Sequence, residues 1–307
     1  MIQNIDFISN NKYLEKIPVL KYAVENNLFA EYSDNHLFFQ KDINSFDLVN
    51  NLFCRLLALK DAFGYEIVSD IIQNKLSAGK NKYDVNKLWE AISEVEIISN
   101  ILNRLNVTNP QYEPKYNGDK NPEFSFEYMG NEFEVEVKCA NFSKLEYENG
   151  GIVLNYRDKI PPEVYNSLGV KVNYPSDNKI KDYLLSAEEK FSSETQDTNI
   201  KRYGILFVNW QDAMRFKYAY SILTNKDSGL FTPNSYLNNE LNTVKQFEKI
   251  CAVVFFFRGV KYNDLQYVYA DYSTYEKYYV KNPFSKKINN DFLSYVLEAL
   301  PYNYYLD

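Results

Sequence analysis

The chain has 307 residues, of which 45% are hydrophobic and 24% charged, as in one large or two modest soluble globular domains. Its net charge of −7 at pH 7 predicts no general attraction to nucleic acid or to an anionic membrane, although a local basic groove is compatible with that charge. With a single histidine, no CxxC pair and no glycine-rich phosphate loop, its chemistry would have to use carboxylates, lysines and tyrosines.

Residues 1 to about 80 are predicted to be helical. Apolar residues recur there with helical spacing over three segments, residues 17–29, 46–59 and 65–76. The polar, glycine-containing stretch 77–82 interrupts this pattern, so we place a domain boundary near residue 80. The N-terminal helical region, 1–80, would then serve substrate selection, dimerisation or partner binding for a second domain, 81–307.

The second domain changes from helical to alternating periodicity along the chain. Asp84 is the predicted N-cap of a long helix over residues 85–105. Two alternating segments, 124–128 and 133–138, then predict a β-hairpin. Residues 142–177 have no regular pattern, and Asp177 is the predicted cap of the next helix. The later elements are a helix, two buried strands separated by a polar insertion, a further strand and a closing helix, at residues 179–191, 203–209, 250–257, 265–269 and 291–300. This order predicts an α/β (α+β) fold.

The predicted hairpin has one apolar face and one polar face, because side chains alternate along a strand. The polar face carries Glu123, Ser125, Glu127, Glu134, Glu136 and Lys138. A loop at Gly130-Asn131 sets Glu127 opposite Glu134, Ser125 opposite Glu136 and Glu123 opposite Lys138. Glu123 and Glu136 are then diagonal neighbours, about 7–8 Å apart at the backbone. A bound Mg²⁺ or Mn²⁺ would compensate their repulsion; the alternative is a solvent-facing strand surface with ordinary charged residues.

The sequence motif in this segment resembles that of a known superfamily. Pro122-Glu123 is followed, after twelve intervening residues, by Glu136-Val137-Lys138. This resembles the PD-(D/E)xK nuclease superfamily, in which an acidic residue after proline precedes a hairpin strand with Glu-x-Lys. The predicted flanking helices and apolar strand agree, and the resemblance covers about residues 85–270. It implies a restriction-endonuclease-like central mixed sheet flanked by helices, with Glu123 where the family usually has the shorter Asp.

The resemblance also implies roles for individual residues. Glu123 and Glu136 would hold Mg²⁺ (or Mn²⁺), and Lys138 would orient the nucleophile. The family often adds a glutamate from the preceding helix, for which we select Glu94. Its position is about 70° from the centre of the buried stripe, whereas Glu90 and Glu96 lie about 110° and 130° away, nearer solvent.

Basic residues on and after the following helix are candidate phosphate contacts, since lysine and arginine supply the sequence-independent part of nucleic-acid binding. They are Lys181, Lys190, Lys201 and Arg202. The alternative is that they are ordinary solvated side chains.

This resemblance implies a metal-dependent nuclease that hydrolyses phosphodiester bonds of DNA, with RNA as the open alternative. By analogy alone, it would act in restriction, phage defence or mobile-element maintenance, and cutting both strands would suggest a homodimer. A first rival is a catalytically inactive nuclease-fold protein that binds nucleic acid or protein, and a second is an interaction module of unrelated fold.

No apolar run approaches the roughly 18 residues of a membrane span, and the start lacks a secretory signal, so we expect a cytoplasmic protein with no membrane partner.

Overall fold

The computed structural model describes most of the chain, with gaps; the described residues are 14–29, 43–78, 80, 82, 84–115, 120–140, 152–153, 162–169, 172–192, 201–210, 213–241, 245–258, 260–263, 266–269 and 275–285. The chain divides into two compact units. The first comprises Met1–Tyr112, Val260–Ser273 and Ser294–Asp307, and the second comprises Glu113–Gly259 and Thr274–Leu293. Within the described ranges, no helix is both long and apolar enough to cross a membrane.

The elements are named in chain order. The helices are α1 (Pro18–Glu25), α2 (Ile43–Asp70), α3 (Val85–Arg104), α4 (Pro162–Ser167), α5 (Pro175–Lys190), α6 (Ala213–Thr224) and α7 (Tyr236–Leu241). The strands are β1 (Thr108–Tyr112), β2 (Phe124–Tyr128), β3 (Asn131–Ala140), β4 (Ile152–Val153), β5 (Val172–Asn173), β6 (Arg202–Trp210), β7 (Ile250–Arg258), β8 (Val260–Asn263), β9 (Gln266–Tyr269) and β10 (Tyr275–Lys281). A 3₁₀ turn at Leu14–Lys16 precedes α1, and a π-helical turn at Ile71–Lys75 follows α2.

The first unit is mainly helical, as its sequence predicts, and it also holds β1 and the antiparallel pair β8–β9. The two predicted helices at 46–59 and 65–76 are joined in α2, which is kinked at Gly64, where φ is 83°. Helix α3, which the sequence assigned to the second domain, belongs to this unit.

Helix α3 is buried far more widely than a single stripe. From residue 88 to residue 101, only Glu90 is not fully buried. The prediction that Glu96 lies nearer solvent is therefore wrong, since this residue is 2% exposed. Its burial is compensated by Arg55 of α2, whose Nη2 lies 3.5 Å from Glu96 Oε1.

Asp84 caps α3 as predicted, because its carboxylate accepts hydrogen bonds from the backbone N–H groups of Asn86 and Lys87. We expect Asp84→Ala to lower the free energy of unfolding by about 1 kcal/mol, since the first turn loses a side-chain acceptor. Urea denaturation measures the change, and Asp84→Ser, which retains a capping oxygen, should restore most of the loss. Equal stabilities of Asp84→Ala and Asp84→Ser would contradict this role.

Five strands of the second unit lie side by side in a mixed sheet, in the order β2-β3-β6-β7-β10. The pairs β2–β3 and β7–β10 are antiparallel, whereas β3–β6 and β6–β7 are parallel. The apolar sequences of β6 and β7 match their position in the middle of a sheet covered on both faces. The α/β class is thus confirmed, and the restriction-endonuclease-like arrangement stays a prediction.

Helices α5 and α6 pack on one face of this sheet. Ile180 and Leu184 of α5 form a common core with Leu206 of β6, Phe216 of α6 and Phe255 of β7. The strand register pairs residue 136 with residue 206, so the polar side of β3 lies on this same face, under α5. A row of stacked aromatic rings lies along β2, β3 and β6, formed by Phe124, Phe126, Phe133 and Tyr203.

Several predicted boundaries are wrong in the second unit. Helix α5 begins at Pro175, whose fixed φ suits a first helical position, and Asp177 lies in the first turn rather than at the N-cap. The insertion between β6 and β7 contains α6 and α7, and the irregular stretch 142–177 contains α4 and the short parallel pair β4–β5. The predicted closing helix, 291–300, lies outside the described residues.

Candidate functional site

The hairpin of β2 and β3 turns at Met129-Gly130, not at the predicted Gly130-Asn131. Both turn residues have positive φ, 48° and 73°, as a type I′ turn requires. The register therefore differs by two residues, and Ser125 pairs with Glu134 instead of Glu136. Because the difference is an even number, every side chain keeps its predicted face. Continued by one pair, this register sets residue 123 directly opposite residue 136 rather than diagonal to it.

Glu136 is the buried centre of the predicted site. Its side chain is 0% exposed, in the middle of β3. Oxygen Oε1 is shared by two ammonium groups, Lys190 Nζ at 2.6 Å and Lys138 Nζ at 2.8 Å. Oxygen Oε2 has no hydrogen-bond partner among the described residues. One oxygen of this carboxylate is therefore doubly paired, and the other is buried without a described partner.

Glu123 joins Glu136 through the same lysine. The Lys190 Nζ atom lies 3.2 Å from Glu123 Oε1. A carboxylate oxygen of Glu113 lies within 4.8 Å of one of Glu123, and the Glu113 backbone N–H donates to the Glu123 carbonyl. We call these five residues, Glu113, Glu123, Glu136, Lys138 and Lys190, the carboxylate–lysine cluster. Three of the predicted active-site residues thus meet in the second unit.

Electrostatics at Glu136 reflect its burial. Loss of solvent raises the pKa of this carboxyl above its ordinary value, and the neighbouring charge of Glu123 raises it further. Lys138 and Lys190 oppose the shift by stabilising the ionised form. A buried carboxyl pair of this kind needs cations nearby to stay ionised, and two lysines supply them here.

Glu134 lies two residues earlier on the same face of β3 and is held differently. Both of its oxygens accept hydrogen bonds from Ser192, one from the backbone N–H and one from the hydroxyl. Arg202 lies 3.6 Å from Glu134 and 2.6 Å from Glu132. Burial raises the pKa of Glu134, while the bonds from Ser192 and the charge of Arg202 lower it. Arg202, a predicted phosphate contact, is thus engaged in an ion-pair network inside the fold.

The other predicted residues lie away from this network or in the first unit. Lys181 of α5 is half-buried and donates to Asn178 Oδ1. Lys201 is exposed immediately before β6. Their contacts with nucleic acid stay predictions. Lys190, predicted with them as a phosphate contact, is bound by carboxylates instead.

Glu94 belongs to the first unit, on α3, and is buried. Lys75 Nζ lies 2.8 and 3.0 Å from its two oxygens, and the Tyr112 hydroxyl donates to it at 2.6 Å. The Lys75 ammonium also lies over the Tyr112 ring. Burial, reinforced by the Glu94 charge, raises the pKa of Tyr112, so this phenol is a neutral donor. The assignment of Glu94 to the catalytic site stays a prediction.

The cluster fits a hard divalent cation. Its acceptors are carboxylate oxygens, which Mg²⁺ and Mn²⁺ prefer, and Glu136 Oε2 is both buried and without a described partner. Sequence reasoning missed two members, the carboxylate of Glu113 and the bridging position of Lys190. Neither carries a local signal, since Glu113 belongs to no motif and a helix lysine is usually solvated.

Among known proteins, no family model, no curated protein and no solved structure matches this chain. The chemistry open to the cluster is that of its own groups: carboxylate oxygens that can hold a cation, and ammonium groups that can hold an anion.

Proposed function

We propose that the protein is a metal-dependent nuclease of the PD-(D/E)xK type that hydrolyses phosphodiester bonds of DNA. The observation that carries the proposal is the meeting of Glu123, Glu136 and Lys138 in one cluster, with a buried carboxylate oxygen left without a described partner. A solvated strand surface would place these groups in water. Here Glu123, Glu136 and Lys138 instead lie at the face of the sheet that α5 covers.

In this proposal, Glu123 and Glu136 hold Mg²⁺ or Mn²⁺, with Glu113 as a further carboxylate. Such an ion would supply a water of lowered pKa and would neutralise phosphate oxygens. Lys138 Nζ, 2.8 Å from Glu136, would donate to the attacking water and orient it. Glu94 would assist through the metal or the water, an assignment that rests on helix periodicity and the family resemblance.

The exposed fraction of the side chains differs across the cluster, and this difference suits the proposed chemistry. The side chains of Lys138, Glu123 and Lys190 are 15%, 16% and 20% exposed, whereas Glu136 is fully buried. A phosphate can therefore approach the rim while the base of the site stays dry. Charge interactions are stronger in such a setting than in water.

In this proposal Lys181 and Lys201 contact the phosphates of the substrate, and RNA is the alternative to DNA. Cutting both strands of a duplex would take two copies, hence a homodimer. A solitary nuclease of this kind fits restriction, phage defence or mobile-element maintenance by analogy.

A second candidate is a catalytically inactive nuclease-fold protein that binds nucleic acid or protein. The observation that favours it is the ammonium of Lys190, which lies within 3.2 Å of both acidic side chains and compensates their charge without an ion. The two candidates differ in one property. The enzyme binds Mn²⁺ at the cluster, and the inactive protein does not.

The deciding experiment is cleavage of plasmid and single-stranded DNA with Mg²⁺, Mn²⁺ or EDTA. We expect cutting with either metal, none with EDTA, and recovery when excess Mn²⁺ is added. Lys138→Met should lower the rate by about 100-fold, since one donor to the reacting groups is lost. Lys120→Met, which removes an equal charge from an exposed ion pair with Glu189, should cut at the wild-type rate. Cutting that survives EDTA would contradict the proposal, and so would an absence of both cutting and Mn²⁺ binding.

A further inference from the structure

We propose that Lys190 occupies the cation position between Glu123 and Glu136 in the resting protein, and that a divalent ion and a substrate phosphate displace it together. The inference rests on the proposed function and adds a control of metal loading. In the resting state the lysine holds the carboxylates, and in the loaded state it holds the phosphate. Lys190 is thus a positioning residue rather than a metal ligand.

The geometry places the Lys190 ammonium where a bridging cation would compensate both carboxylates. Its Nζ lies 2.6 Å from Glu136 Oε1 and 3.2 Å from Glu123 Oε1. An ammonium and a divalent ion compete for such oxygens, because each is stabilised there by the same two negative charges. Glu136 Oε2, with no partner in the described chain, is the atom from which a metal ion can begin to bind.

The backbone around Lys190 is fixed, whereas its side chain can change position. The preceding turns of α5 are anchored in the core by Leu184 and Ala187. Directly after Lys190, the Phe191 carbonyl accepts from Lys249 Nζ at 2.8 Å and the Ser192 N–H donates to Glu134 at 2.8 Å. A flexible four-carbon stem then lets the ammonium leave the carboxylates without moving the helix.

Charge balance couples the ion to the phosphate. The three carboxylates and two ammonium groups of the cluster sum to one negative charge. A divalent ion alone would leave one positive charge among these groups, of which Glu113 is exposed and Glu136 is fully buried, whereas an ion with one phosphodiester leaves none. The displaced Lys190 gains a phosphate oxygen in place of its carboxylates, which is an equally strong kind of partner. Metal binding should therefore be weak alone and stronger with nucleic acid, and the coupling must be reciprocal.

The test is calorimetric titration of Mn²⁺ into the full chain, with and without a short phosphorothioate DNA duplex. Without DNA, we expect Lys190→Met to bind Mn²⁺ at least about tenfold more tightly than wild type, because the competing charge is gone. Lys190→Arg should stay at the wild-type affinity. The duplex should strengthen Mn²⁺ binding to wild type about tenfold and to Lys190→Met much less. Lys120→Met, with the same loss of charge at the surface, should behave as wild type.

Circular dichroism and thermal melting establish that each variant is folded, and Lys190→Gln replaces Lys190→Met if the latter unfolds. Equal Mn²⁺ affinities of wild type and Lys190→Met would overturn the inference and leave the nuclease proposal standing. Tighter binding by Lys190→Met, together with a wild type that never cuts DNA, would support the inference and contradict the nuclease. Absence of Mn²⁺ binding by both proteins would overturn both.

Discussion

Glu136→Gln should abolish Mn²⁺ binding and lower the rate of DNA cleavage by at least about a thousandfold. The amide removes the negative charge and replaces one carboxylate oxygen with an NH₂ group, which cannot bind a cation. Lys138 and Lys190 share that negative charge in the wild type, so in the variant both ammonium groups keep at most a neutral amide oxygen as their common partner. Calorimetry with Mn²⁺ and a plasmid-cutting assay measure the two effects separately.

Glu134→Gln is the matched control for Glu136→Gln. Both glutamates lie on the same face of β3, both are almost fully buried, and burial raises the pKa of both. They differ in their partners, since both oxygens of Glu134 are used by Ser192. We expect Glu134→Gln to retain Mn²⁺ binding and cleavage. Equal losses in the two variants would mean that burial at this face, and not metal ligation, decides activity.

The direction of the pKa shift predicts that Glu136→Gln stays folded. Where the pKa of a buried carboxyl is higher in the folded than in the unfolded chain, the folded state binds more protons between the two values, and stability falls as the pH rises through that interval. Folding therefore favours the neutral form of the Glu136 carboxyl more than the unfolded chain does. The glutamine amide resembles that neutral form, so we expect the variant to stay folded, and a thermal melt run beside the cleavage assay separates lost activity from unfolding.

The polar face of the hairpin could be predicted from the sequence because alternation is a local property. The predicted loop lies one residue later than the observed one and the predicted register differs by two, yet Glu123, Glu136 and Lys138 lie together in the structure, as the alternation predicts. A register shift of two residues leaves each side chain on the same face of the sheet, so the predicted grouping of these residues does not depend on the exact register. The register itself, which sets residue 123 opposite residue 136 when it is continued by one pair, is the detail that alternation could not supply.

Long-range packing is what the sequence could not show. Helical periodicity marks Lys190 as one of several surface lysines, and only the docking of α5 over β3 brings its ammonium between two carboxylates. The burial of Glu96 depends in the same way on Arg55 of another helix. Periodicity predicts which face of a helix or strand is buried. It does not predict which other element packs on that face, and these contacts depend on that.

Gly204 of β6 leaves the space that the docking of α5 requires. It pairs with Glu134 in the parallel register, on the face that α5 covers. A Cβ at this position would overlap the Lys249 carbonyl oxygen and the ring of Phe191, the residue after Lys190. Its φ is not in the left-handed region, so the requirement for glycine here is one of space.

Gly204→Ala should therefore lower the free energy of unfolding by about 1–3 kcal/mol, as overpacking does in well-packed cores. Urea denaturation measures the loss, and Gly130→Asn is the control. Nothing lies within 4 Å of a Cβ at Gly130, and asparagine tolerates its positive φ, so little stability should be lost. Adding Phe191→Leu to Gly204→Ala should recover part of the loss in a double-mutant cycle, because the smaller side chain can move away from the new methyl group. If Gly204→Ala proves as stable as wild type, Phe191 does not pack against β6, and the end of α5 that carries Lys190 is not fixed above the carboxylates.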